Sequence, residues 1–105
     1  MTTHWILGPG AIGRLLAYSL SPIAATTLLG RRGLPARQMM TTPEGEQHVL
    51  SLNALTIAQL ASNPPKPPAF VHITTKAMVA ESALAGITDW IPSSTPLVLW
   101  QNGFL

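Results

Sequence analysis

Cysteine is absent from the 105 residues. That excludes disulfide scaffolds, thiolate metal sites and cysteine nucleophiles, and it leaves the redox compartment unread. Charge is scarce as well: Asp, Glu, Lys and Arg make up 10% of the chain, against roughly 25% in ordinary soluble domains. So thin a charge coat implies extensive burial, or a surface that expects a covering partner. The pI near 9.7 rests on six Lys/Arg against four Asp/Glu, a net charge of +2. That is too small to call for a polyanion, and the dense basic face of a nucleic-acid binder is missing. No apolar run approaches the ~18 residues of a membrane helix. Met1-Thr2-Thr3-His4-Trp5 lacks the basic segment and apolar run of a signal peptide. A soluble, cytoplasmic protein is expected, with no nucleic acid and no membrane among its partners. His4, His48 and His72 lack metal-ligand spacing, and Glu44, Glu46, Glu81 and Asp89 form no obvious acid–base pair. Neither a metal site nor a hydrolase centre is expected.

What is present is an alternation. Hydrophobic residues reach 47%, enough for one modest core in one domain. Trp5-Ile6-Leu7 stops at Gly8-Pro9-Gly10 and reads as a short buried strand. Ile12, Leu15, Leu16 and Leu20 then recur at helical spacing until Ser21-Pro22. Thr26-Thr27-Leu28-Leu29, closed by Gly30, reads as a second strand. Strand, glycine turn, helix and strand spell a βαβ unit with parallel strands and a right-handed crossover.

Further along, 38–42 and 48–52 flank Pro43-Glu44-Gly45-Glu46 and predict a hairpin. Residues 54–61 predict a short helix, and the prolines of 63–68 a loop. Residues 70–74 predict a strand. Residues 77–87 predict a helix with Val79, Ala83 and Ile87 on one face. Residues 96–100 predict a last strand, running into Gln101-Asn102-Gly103. Met39-Met40 and the three tryptophans read as core or interface. The predicted class is α/β: a Rossmann-like dinucleotide-binding domain with a mainly parallel sheet covered on both faces. The chain stops at Leu105, straight after a strand and a turn, and the ending reads as a cut before a further domain. Trp90, Trp100 and Phe104 are expected to face that domain in part. Apolar surface left there, and an uncapped last strand, favour self-association.

Gly8-Pro9-Gly10-Ala11-Ile12-Gly13 fits the pattern G-x-G-x-x-G in the context that gives it meaning, after a strand and opening a helix. The first glycine permits the tight turn. The second lets a pyrophosphate approach the backbone. The third lets the helix pack close to the sheet. Amides at the helix start then face the phosphates. Pro9 removes one amide and stiffens the turn. NAD sites usually carry an acid at the end of the second strand. Here that place reads Gly30-Arg31-Arg32, and the nearest acid is Glu44. A guanidinium fork suits the 2′-phosphate of NADP(H), with Arg37 near enough in sequence to help.

These residues carry a resemblance. Gly8 to Gly13, Leu28-Leu29-Gly30-Arg31-Arg32, Thr75-Lys76-Ala77 and Gln101-Asn102-Gly103 come in the order and approximate spacing of the ketopantoate reductase (2-dehydropantoate 2-reductase) family. The resemblance covers residues 1–105, and only the N-terminal, cofactor-binding part of the family. It implies reduction of a 2-keto acid to a 2-hydroxy acid with NADPH, on the route to pantothenate. It implies that Gly8, Pro9, Gly10, Ala11, Ile12 and Gly13 form the pyrophosphate cradle, that Arg31 holds the 2′-phosphate with Arg32 assisting, and that Thr75 lies in the cofactor site. Lys76 matches a lysine near the cofactor ribose and substrate cleft, and Asn102 an asparagine near the nicotinamide and substrate. These two are the catalytic candidates. The family's general-acid lysine lies in a helical C-terminal domain not represented here, so these residues alone are expected to lack reductase activity. Another NADP-dependent 2-hydroxy acid dehydrogenase and a non-catalytic NADP-binding or interaction module stand as alternatives.

Overall fold

The computed structural model describes residues 2–8, 10–30, 37–41, 44–51, 53–62 and 65–100. The elements in chain order are β1 (Thr3–Leu7), α1 (Ala11–Leu20), β2 (Ala25–Gly30), β3 (Arg37–Thr41), β4 (Gln47–Ser51), β5 (Asn53–Thr56), β6 (Phe70–Ile73), α2 (Ala77–Ala85) and β7 (Leu97–Leu99). Short 3₁₀ turns occupy Ile57–Leu60 and Thr88–Trp90. Five strands form one sheet in the order β5-β2-β1-β6-β7, and every neighbouring pair runs parallel. β3 and β4 form a separate antiparallel hairpin, Arg37 opposite Ser51 and Thr41 opposite Gln47. Gly45 turns it with φ +88°.

A parallel sheet is covered on both faces, so its central strands are apolar without interruption. Trp5, Ile6 and Leu7 show this: successive side chains point to opposite faces and all are buried. One face gathers Trp5, Leu7, Leu29, Val71 and Ile73 with Leu60, Ala83 and Ile87. The other gathers Ile6 and Leu28 with Ala17 of α1. α1 turns Gly13 and Ala17 to the sheet. Leu15, expected in the apolar stripe, is 56% exposed, because it lies on the side of the helix away from those two residues.

The helix predicted at 54–61 is corrected. The segment divides into β5 and a 3₁₀ turn. Pairing of Ala54 with Leu28 and Leu55 with Leu29 outweighs local helix preference, and the Asn53 side-chain amide donates to Thr27 Oγ1 at 3.0 Å. Thr56 then stops the strand by capping the turn: its hydroxyl accepts from Gln59 N–H while Gln59 Oε1 accepts from Thr56 N–H. α2 also ends earlier than predicted, at Ala85. Ile87 stays fully buried from the turn that follows. Trp5 is core, Trp90 packs against the core on the α2 face, and Trp100 is 42% exposed. Phe104 and the side chains of Met39 and Met40 lie outside what is described. Among the described residues no helix is long and apolar enough to cross a membrane.

Candidate functional site

The chain leaves β1 for β2 on one side and later returns to β6 on the other. Ligands of open α/β sheets bind beyond the carboxyl ends of the strands at such a reversal. The glycine turn stands there. Gly8 has φ +117°, and a β-carbon on it would come 2.7 Å from Thr74 Oγ1. Both conformation and space therefore demand glycine. The turn is fastened from two strands: Gly8 N–H donates to Leu29 O at 2.9 Å and Thr74 N–H donates to Leu7 O at 2.9 Å. The Thr74 hydroxyl is shared between Gly8 O at 2.9 Å and Leu7 O at 3.1 Å.

Gly10 caps α1 in an extended conformation, and its carbonyl accepts the Arg14 N–H at 3.0 Å. Among the described residues, its chain neighbours aside, no heavy atom lies within 4 Å of a β-carbon placed on Gly10. Gly13 is the opposite case, with Gly8 O only 1.9 Å from where its β-carbon would be. Ala11 opens α1 and Ile12 is half-buried. Thr75 Oγ1 is buried without a hydrogen-bond partner among the described residues, and Thr75 N and Cγ2 lie 3.0 Å from a β-carbon built on Gly8.

Lys76 is exposed and caps α2, its carbonyl accepting the N–H groups of Val79 and Ala80 at 3.0 Å. It follows β6 closely, so it belongs to the same edge of the sheet as the glycine turn. β7 is parallel to β6 and ends at that edge too, with Trp100 N–H donating to Ile73 O at 2.9 Å. The structure thus brings Gly8, Gly10, Gly13, Thr75 and Lys76 to one edge. Pro9, Arg31, Arg32 and Asn102 lie outside the described residues. Arg37 is on β3, in the separate hairpin and not in the five-stranded sheet.

Sequence reasoning missed Thr74, which pins the turn. A hydroxyl residue directly after a buried strand was the available signal. It also missed a contact between His4 and His72, whose ring nitrogens are 2.8 Å apart. Among the described residues no group of three His, Asp or Glu could hold a metal ion.

Parallel order, crossover and glycine turn together define a Rossmann-like α/β domain. Solved structures share it. A dimeric ketopantoate reductase of Staphylococcus aureus superposes with a TM-score of 0.70 at 22% identity, over 97% of this chain and 36% of that one. A second Staphylococcus aureus structure, described as a 2-dehydropantoate 2-reductase by assignment, gives 0.68 at 23% identity, over 96% of this chain and 34% of that one. The family model for Ketopantoate reductase PanE/ApbA matches residues 5–105, and the chain belongs to that family. No curated protein matches it. The chain spans about a third of the length of these solved structures, 36% and 34%.

Proposed function

We propose that this chain is the NADP(H)-holding part of a reductase resembling 2-dehydropantoate 2-reductase, which turns a 2-keto acid into a 2-hydroxy acid in pantothenate biosynthesis. One observation carries the reading: the three glycines of the turn differ in what surrounds them. Gly8 and Gly13 are glycine because protein atoms crowd them, whereas at Gly10, at the start of α1, no atom of the described residues fills the place of a β-carbon. A glycine that the fold itself does not require is what a closely approaching ligand requires. Family membership supports the same reading.

The residues present fit a dinucleotide. Backbone amides of the turn and the first turn of α1 would bind the pyrophosphate. The buried Thr75 hydroxyl, without a partner among the described residues, offers a further hydrogen bond beside the turn. Arg31, with Arg32, would pair with the 2′-phosphate as a bidentate cation. Lys76 and Asn102 would supply an ammonium and an amide for ribose hydroxyls or the substrate carboxylate and carbonyl. NADPH, when bound, supplies the hydride. The ketone also needs a proton donor and walls that hold it in near-attack geometry. We assign both to residues beyond these, so the 105-residue chain binds the cofactor without turnover. A cytoplasmic setting suits the reaction.

Calorimetric titration of the chain with NADPH and NADH tests the reading. NADPH should bind more tightly, more weakly at higher salt, and should lose that advantage in Arg31→Ala. Equal affinity for the two nucleotides would remove the role given to Arg31. Binding of neither would remove the cofactor reading for this chain.

A further inference from the structure

Three rings stand in a row on the sheet face that α1 covers. His4 alternates along β1 with Ile6, which packs with Ala17 of α1. His72 on β6 is in register with Ile6 and is 6% exposed. Trp100 follows β7. His4 Nδ1 lies 2.8 Å from His72 Nε2, and Trp100 Nε1 donates to His72 Nδ1 at 2.9 Å. The two imidazoles stack at 5.1 Å, and Phe70 stacks on His4 at 5.1 Å.

An indole nitrogen can only donate. His72 Nδ1 is therefore bare, and its proton sits on Nε2, aimed at His4 Nδ1. His4 then carries its proton on Nε2, 3.3 Å from Thr2 Oγ1. One set of tautomers satisfies the whole row, and in it both histidines are neutral. A single added proton spoils the row wherever it lands. On His72 Nδ1 it meets the indole N–H. On His4 Nδ1 it meets the proton of His72, and if His72 shifts that proton to Nδ1 the indole loses its acceptor. The Trp100 backbone is tied to Ile73 by its N–H, so the indole bond is a second fastening of the same residue.

Among the described residues, the elements beside the row carry few ionisable groups. α1 carries Arg14 and Tyr18, and β2 and β7 carry none. Burial, then the charge of His4, hold His72 below the usual histidine range, and burial does the same for His4.

We propose that His4, His72 and Trp100 form a proton-operated latch, which holds Trp100 to the sheet while both histidines are neutral and so steadies the end of β7 at the edge where the cofactor is proposed to bind. Trp100 and His72 are then positioning residues, and the idea rests on the cofactor reading proposed above. Proton uptake releases the indole and weakens cofactor binding by about fivefold, the worth of one ordinary hydrogen bond.

The test uses the isotope-labelled 105-residue chain, followed by NMR from slightly alkaline to mildly acidic pH, with NADP⁺ affinity measured over the same range. The Trp100 indole N–H and both imidazoles should move together, with one midpoint below 6.5. NADP⁺ affinity should fall further in the parent than in Trp100→Phe, which keeps an aromatic ring and loses the donor. The 2′-phosphate titrates alike in both and cancels from the comparison. An indole signal that stays still while the histidines titrate overturns the latch. Equal pH dependence in parent and Trp100→Phe overturns its link to the cofactor. If NADP⁺ binds at no pH, the cofactor reading fails, and the indole titration still decides the latch.

Discussion

A β-carbon on Gly13 would stand 1.9 Å from the carbonyl oxygen of Gly8. Helix α1 and the turn that introduces it thus touch backbone to backbone. The obstructing atom is a carbonyl oxygen of a turn already fixed by Leu29 O and by the Thr74 hydroxyl. It cannot step aside as a flexible side chain would. The contact sets how close the start of α1 lies to the end of β1, and with it where the free amides of the helix are aimed.

Gly13→Ala and Gly10→Ala should therefore part company. Overpacking costs roughly 1–3 kcal/mol, more against rigid backbone, while alanine regains up to about 1 kcal/mol of helix propensity. A net loss of roughly 2 kcal/mol is expected for Gly13→Ala in urea unfolding. Gly10→Ala meets no atom of the described residues within 4 Å, its chain neighbours aside. It should cost no more than about 1 kcal/mol, the penalty of alanine for glycine at an N-cap, yet bind NADP(H) less well, because its methyl group fills the space proposed for the pyrophosphate. Equal stability losses in the two variants would contradict the division of roles among the glycines.

Thr74→Val should cost about 1 kcal/mol, the usual worth of a hydrogen bond. Its hydroxyl serves Gly8 O and Leu7 O, and Leu7 O keeps the Thr74 N–H. The turn at Gly8 should loosen more than the strands. Hydrogen exchange at the Gly8 amide, which donates to Leu29 O, should quicken in Thr74→Val and return towards the parent rate in Thr74→Ser.

Much of this fold is written in local pattern. Trp5-Ile6-Leu7, the glycines and Thr27-Leu28-Leu29 announce β1, α1 and β2 because burial on both faces needs unbroken apolar runs. β5 is not announced. Asn53-Ala54-Leu55-Thr56 has one β-branched residue and runs into helix-forming Ala58-Gln59-Leu60, and only its pairing with β2 makes it a strand. The pinning role of Thr74 and the ring row have the same cause. His4 and His72 are 68 residues apart, and register alone brings them together. At the site, Gly8, Gly10, Gly13, Thr75 and Lys76 come to the expected edge, whereas Arg31, Arg32 and Asn102 rest on sequence alone.

Thr56 tests the capping account of how β5 ends. Thr56→Ala removes an N-cap and should cost about 1 kcal/mol, which lowers Tm by roughly 4–8 °C in a domain of this size. Gln59→Ala opens the same reciprocal pair of hydrogen bonds from the other side. The double variant should therefore lose less than the sum of the single losses. Strict additivity in thermal unfolding would mean that the two bonds do not act together.

The histidine row predicts the sign of a pH effect on stability. In the unfolded chain both histidines titrate near the ordinary value of 6.5, and in the fold burial holds both below it. Between the folded values and 6.5 the unfolded chain binds more protons, so stability rises with pH across that window. The contribution is fully present above 6.5 and is lost as pH falls through the lowered values. Urea midpoints measured at stepped pH should fall on the acid side in the parent. The double variant His4→Phe, His72→Leu keeps the ring that stacks on Phe70 and fills the buried site with an apolar group. It should be flatter over the same window, and its stability relative to the parent should improve with acidity. A parent midpoint that is level or rises on acidification would mean that the folded chain accepts the proton as readily as the unfolded one, and the row would then be no barrier to protonation.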